Sequence, residues 1–259
     1  REAESKPCVP RDVWRIVAKV AADMPRECPL RYHGSHGKRK EIVAGETAHG
    51  ITDDLRSNPF LVKEVKRRKA YRKPPAPFIT SRLQQEASRK LRFTPKKTMH
   101  VAQSLYEGID LEQGAQGLIT YMRTDSTRLS DESLTAVRQL IDARHGAQFV
   151  PEKPNLFAVK KSAQDAHEAI RPTDVRNTPD TVAPYLTSDQ LKLYRLIWNR
   201  FVACQMKPAV FEQVTVVVTC ADHELRVKGS VQLFAGFTAV YTEGKDNGEE
   251  DDKEVKLPK

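Results

Sequence analysis

Two periodicities of apolar positions divide the chain. At the start, Val13-Trp14-Arg15-Ile16-Val17-Ala18-Lys19-Val20 is rich in strand formers and reads as a strand, with residues Cys28 to His33 as its partner. His33-Gly34-Ser35-His36-Gly37-Lys38 reads as a mobile, solvated loop, because no carboxylate or thiol clusters with its two histidines to make a metal site. Glu46 to Ser57 reads as a short helix capped by Gly45, and Phe60 to Val65 as a strand. That strand leads into Lys66, Arg67, Arg68, Lys69, Arg72 and Lys73, with Tyr71 inside the run. Such a run is either a nucleic-acid backbone contact with one stacking aromatic or a solvated strand face. Pro74-Pro75-Ala76-Pro77 follows as a stiff connector.

From there the period becomes helical. Ser81 with Gln84 has the form of a capping box, and Leu83, Ala87 and Leu91 make one apolar face. Thr94-Pro95 opens a second helix carrying Met99, Ala102, Leu105 and Tyr106, and Gly108 closes it. The two helices across so short a break resemble a helix-turn-helix, with Arg89, Arg92, Lys96 and Lys97 around the turn. Ser130 caps a helix whose buried side is Leu134, Val137, Leu140 and Ile141, stopped by Gly146. After a long connection, Ser162-Ala163-Gln164-Asp165 predicts a short helix carrying His167 and Glu168. Ser188 is expected to cap the longest helix, which runs to about Gln205 with Leu191, Tyr194, Ile197, Trp198, Phe201 and Val202 as its stripe.

Period two returns after Pro208. Phe211 to Cys220, Glu224 to Leu233 and Phe237 to Tyr241 read as strands, with a turn at Ala221-Asp222-His223. The acidic residues Glu249, Glu250, Asp251 and Asp252 read as a solvated loop. Strands before and after a helical block predict an α+β fold. A discontinuous β-rich domain, residues 1–78 and 208–259, would hold an inserted mainly helical domain, residues 79–207.

Composition adds a partner. The 259 residues carry a net charge of +9 and the pI is about 9.4, which favours a polyanion. Cys8, Cys28, Cys204 and Cys220 are scattered, with no Cys-x-x-Cys pair, so no zinc ribbon is indicated and a reducing cytoplasm fits. No signal peptide or membrane span stands out, so no membrane partner is expected.

The chemistry concentrates in Ile119-Thr120-Tyr121-Met122-Arg123-Thr124-Asp125-Ser126-Thr127, which packs a phenol, a guanidinium, a carboxylate and four hydroxyls together. In an extended segment residues two apart share a side, so Arg123 is expected beside Tyr121 with a phosphate between them. A free phenol has a pKa of about 10 and is a weak nucleophile at neutral pH. A fixed cation lowers that value and stabilises developing charge, and the planar arginine fork grips two phosphate oxygens.

The string Ile119 to Ser126 resembles the active-site signature of type IA DNA topoisomerases, the bacterial topoisomerase I family. Ala166-His167-Glu168-Ala169-Ile170-Arg171-Pro172 resembles a second motif of that family. Met122 after the tyrosine resembles topoisomerase I more than topoisomerase III. The resemblance covers about residues 75 to 210, and more loosely both ends. It implies a strand-rich arch domain carrying a helical domain that bears Tyr121 as nucleophile. Single-stranded DNA would be cleaved through a 5′-phosphotyrosine, a second strand passed and the break resealed without ATP, relaxing negatively supercoiled DNA.

The resemblance further implies that Arg123 contacts the scissile phosphate and that His167 assists on the phosphate side. Thr124, Asp125 and Ser126 would hold the turn in shape. Arg171 would contact DNA backbone or pair with Glu168 or Asp165, and Lys96, Lys97 and Arg89 would hold DNA through the helix pair. Family cleavage also needs Mg²⁺ on a glutamate and an Asp-x-Asp motif. Neither Asp53-Asp54 nor the acidic tail has that setting, so the chain is expected to be a monomeric fragment of a longer enzyme, inactive in cleavage alone. The rival from another class is a single-strand-binding module. A tyrosine recombinase would need several arginines and histidines around the tyrosine in another order.

Overall fold

The structure, a computed structural model, describes residues 13–20, 28–112, 114–158, 167–244 and 255–256. Its elements run β1 (Val17–Val20), β2 (Cys28–Ser35), β3 (Lys38–Arg39), α1 (Gly45–Ser57), β4 (Leu61–Arg72), α2 (Thr80–Leu91), α3 (Pro95–Glu107), β5 (Ile109–Leu111), β6 (Gly114–Gln116), α4 (Asp131–His145), α5 (Pro179–Val182), α6 (Ser188–Cys204), β7 (Ala209–Cys220), β8 (His223–Phe234) and β9 (Val255–Lys256). The fold is α+β. It divides into two compact units, residues 1–70, 211–231 and 253–259, and residues 71–210 and 232–252.

The first unit is a sheet in the order β1-β2-β8-β7-β4, with β3 on β2 and β9 on β8. β1 and β2 pair antiparallel, Val17 opposite Arg31, as the strand pattern predicts. Helix α1 lays Ala48, Ile51 and Leu55 against Leu30, Val218, Leu225 and Val227 of the sheet. Apolar residues three and four apart on the helix thus meet alternate residues of the strands. His223 adds a polar tie on the same unit: one ring nitrogen meets Asp54 of α1 at 3.0 Å, the other Ser35 of β2 at 2.9 Å.

Several expectations change here. His33 to Lys38 is not a loop but the end of β2, a tight turn and β3. His36 and Gly37 both have positive φ (51° and 74°), the twist that closes a hairpin. Helix α1 begins at Gly45 after an extended Ala44, with no side-chain cap. β4 continues straight through the basic run, and nearly all its side chains are exposed on either face. Arg67 pairs with Glu212 at 3.3 Å and Arg68 donates to Gln213 at 2.9 Å, so part of that run braces the neighbouring strand β7.

In the second unit α6 packs against α2, α3, α4 and α5. Its stripe is buried as expected, with Tyr194, Ile197, Phe201 and Val202 almost inaccessible. Thr94, Ser130 and Gly108 cap as the sequence predicts. Other ends differ. Thr187, not Ser188, caps α6, because Gln190 returns its bond and completes a capping box. Ser81 is not a cap either: α2 starts at Thr80 behind an extended Ile79, and no side chain caps it. Phe237 to Tyr241 is not a strand; Gly236–Ala239 is a short 3-10 turn. Gly236 requires this, since it has φ 50° and a Cβ there would lie 2.5 Å from the Pro208 carbonyl oxygen. Cys8, Ser162 to Asp165 and the acidic tail lie outside the described residues. His167 and Glu168 themselves are not in a helix.

Candidate active site

Three segments distant in sequence meet beside Tyr121. Phe78 bridges antiparallel to Ile170, and Ile119 bridges antiparallel to Pro172. The Ile170 N–H donates to the Phe78 carbonyl (2.8 Å), the Thr120 N–H to the Arg171 carbonyl (2.9 Å) and the Thr173 N–H to the Leu118 carbonyl (3.0 Å). The apolar residues that interrupt the polar string supply the anchor: Phe78, Leu118, Ile119, Met122, Ala169 and Ile170 are all buried. Around them Tyr121, Arg123 and Asp125 are exposed, alternating with buried Met122, Thr124 and Ser126.

Tyr121 is one of these outward residues, 39% exposed. Its ring stands against His167, centroids 6.2 Å apart and planes tilted by 32°. His167, Arg123 and Asp125 line a cleft of about 570 Å³, whose other wall is Thr80, Ser81 and Gln84 at the start of α2. The chain bends at Met122 and Arg123. Exposure still alternates, so Tyr121 and Arg123 share the outward side as the sequence predicts; His167 links the tyrosine ring to the cleft that Arg123 lines.

The turn after Arg123 is held by its own hydroxyls. The Ser126 N–H donates to Thr124 Oγ1 (3.0 Å) and the Arg128 N–H to Ser126 Oγ (3.2 Å), both hydroxyls being buried. Asp125 behaves differently and faces the cleft. The uncapped start of α2 faces it too. The first N–H groups of a helix have no intrahelical partner and carry the positive end of its dipole. A guanidinium, an imidazole and a helix N-terminus around one cleft suit a phosphate.

The other expected DNA contacts lie elsewhere. Arg171 is engaged within the chain, donating to Glu168 at 2.6 and 2.9 Å and to the Pro172 carbonyl at 2.9 Å, so of the two roles left open it takes the pairing one. Arg89 sits about 13 Å along α2 from Thr80, beside Glu86 at 3.5 Å. Lys97 pairs with Asp189 at 2.7 Å and covers the Phe93 ring, while Lys96 is exposed beside it. The structure does not bring these three to the cleft. Thr80, Ser81 and Gln84 do line it, and only Ser81 and Gln84 carried a signal, that of a helix start.

Among the described residues no three His, Cys, Asp or Glu side chains converge as metal ligands. Among the described residues, no helix is long and apolar enough to cross a membrane.

A family model described as DNA topoisomerase matches residues 1–259. The chain belongs to the DNA topoisomerase family. DNA topoisomerase 1 of Xylella fastidiosa (strain 9a5c) is 42% identical over 268 residues, covering 100% of this chain and 33% of that protein. DNA topoisomerase 1 of Rickettsia prowazekii is 43% identical over 224 residues, covering 85% of this chain and 29% of that protein. The solved full-length topoisomerase I from Thermotoga maritima superimposes with a TM-score of 0.70 at 38% identity, covering 88% of this chain and 36% of that one. The chain thus spans about a third of the length of these topoisomerases. The strings around Tyr121 and His167 are far apart in this topoisomerase sequence, and the ring contact joins them at one cleft.

Proposed function

We propose that this chain is the nucleophile-bearing segment of a type IA DNA topoisomerase that relaxes negatively supercoiled DNA. The observation that carries this reading is the exposed Tyr121 ring against His167, at the edge of a cleft that His167 shares with Arg123. Tyr121 Oη attacks the scissile phosphorus of a single strand. The new P–O bond forms as the bond from phosphorus to the 3′ oxygen breaks. The phenolic proton leaves to solvent or base and the 3′ oxygen gains one, giving a 5′-phosphotyrosine and a free 3′-hydroxyl. Attack by that hydroxyl after strand passage reverses the step, so the phosphoester energy is conserved and no ATP is needed.

Arg123 neutralises charge on the non-bridging oxygens, worth more in a cleft than in open water. His167 donates to a phosphate oxygen and orients the phenol. In the full-length enzyme Mg²⁺ would be held by residues outside this segment and would supply charge neutralisation at the phosphate. The partner is single-stranded or negatively supercoiled DNA, bound by a monomer in the cytoplasm, at the nucleoid.

A second reading, single-strand binding without cleavage, applies to the isolated segment. It rests on the net charge of +9, which favours a polyanion whether or not cleavage follows. One experiment separates the two. A labelled single-stranded oligonucleotide with Mg²⁺ is run on a denaturing gel with this segment alone, and with the remainder of the enzyme supplied separately. An adduct only in the mixture, lost in Tyr121→Phe, supports the split site. An adduct that survives Tyr121→Phe overturns the assignment of the nucleophile.

A further inference from the structure

Helix α2 begins with a hydroxyl that serves another segment. Thr80 Oγ1 donates to the Met122 carbonyl (2.8 Å) and the Thr124 carbonyl (3.0 Å), and accepts from the Thr124 N–H at 2.9 Å. The Thr80 N–H also donates to the Thr124 carbonyl, at 2.9 Å. All four contacts flank one residue, Arg123. The side chain before it, Met122, is buried, so the backbone at Arg123 is pinned from both neighbours while its guanidinium is left to the cleft.

Thr120 does the same on the other side of Tyr121. Its hydroxyl donates to the Ala169 carbonyl (2.7 Å) and accepts from the Arg171 N–H (3.0 Å), fixing the segment that follows His167. Two threonines thus bracket the tyrosine and arginine, each through one hydroxyl that both donates and accepts.

We infer that Thr80 is a positioning residue for DNA cleavage, holding the Arg123 guanidinium in register with the Tyr121 oxygen. The inference rests on the reading of Tyr121 as the nucleophile. Thr80 touches no reacting atom. It acts through the backbone of Arg123, and a misplacement of about 1 Å in such a group costs about a hundredfold in rate.

The test uses the full-length enzyme and a labelled single-stranded oligonucleotide, measuring the cleavage rate, oligonucleotide Kd and melting temperature separately. Thr80→Val keeps the shape and removes the hydroxyl; Thr80→Ser restores it. Expected for Thr80→Val is a loss of about 10- to 100-fold in cleavage rate, with Kd within about twofold, and recovery in Thr80→Ser. The same change in an Arg123→Ala background is expected to cost nothing further, since residues acting as a unit are non-additive. A Thr80→Val enzyme that cleaves normally overturns the inference, as does an equal loss on top of Arg123→Ala. Wild-type enzyme and Tyr121→Phe run alongside: failure of wild type to form an adduct would sink the underlying reading rather than the role of Thr80.

Discussion

Tyr121 stands edge-on to Tyr106, ring centroids 5.4 Å apart and planes at 64°. Tyr106 lies in the last turn of α3, so a helix end packs against the Tyr121 ring. Edge-to-face pairs contribute about 0.5–1.5 kcal/mol beyond burial. In the full-length enzyme, Tyr106→Leu should therefore slow covalent adduct formation by about two- to tenfold, with Tyr106→Phe close to wild type. Adduct yield against time on a denaturing gel checks this. An equal loss in both variants would assign the effect to the Tyr106 hydroxyl instead of its ring.

Arg123 should separate binding from chemistry. Its guanidinium lines the cleft at the bend after Met122. Loss of a preorganised charge from such a site costs about 10²–10³ in rate. Arg123→Ala should cut the cleavage rate by about that factor and change oligonucleotide affinity far less. Arg123→Lys should recover only part, since an ammonium lacks the fork. Single-turnover cleavage and filter binding give the two numbers, and matching losses in both would reduce Arg123 to an anchor.

Gly117 sets how closely the tyrosine segment lies on α3. The Leu118 N–H donates to the Leu105 carbonyl at 2.7 Å, and a Cβ on Gly117 would lie 2.5 Å from the Tyr106 carbonyl oxygen. Because the obstacle is backbone, Gly117→Ala must push the two segments apart. The expected cost is about 1–3 kcal/mol, as for overpacking in a core. A lower melting temperature should accompany slower adduct formation. An unchanged melting temperature would show that the segments part freely.

What the sequence made legible follows from range. Thr94, Ser130 and Gly108 cap as expected because a cap is decided within three or four residues. The stripe of α6 was equally plain. Ser81 failed as a cap because tertiary contacts pull Thr80 onto Thr124, forty-four residues away, and the helix starts two residues earlier than a Ser81 cap would set it. His36-Gly37 failed as a loop because a hairpin there depends on positive φ at a histidine, which propensity disfavours. At the candidate site, Tyr121 and Arg123 were visible as part of a dense polar string. Thr80 was not, because an isolated threonine before a helix carries no mark of the carbonyls it will meet.

Glu86 gives the last prediction, an acid limb to stability. It is buried on α2 and accepts from Tyr241 Oη (2.7 Å) and the Gly244 N–H (3.0 Å), with Lys90 Nζ at 3.8 Å. Arg200, also buried, donates to Tyr241 Oη (3.2 Å), to Glu243 (2.9 Å) and to the Ala76 carbonyl (2.6 Å). Burial alone raises the Glu86 carboxyl, but the Gly244 amide, the Tyr241 hydroxyl and Lys90 outweigh it and hold the group below the usual carboxylate range. A group whose folded value is depressed stabilises the fold above its unfolded value, about 4.3 for glutamate. That contribution is lost as pH falls through the folded value. The melting temperature of the wild-type chain should therefore drop on acidification below about pH 5. Glu86→Gln should lower stability at neutral pH by about 1–3 kcal/mol for the broken bonds, with a lower melting temperature there and a flatter acid limb. Melting curves across that pH range decide it: an acid limb equally steep in Glu86→Gln would move the titration to another carboxylate.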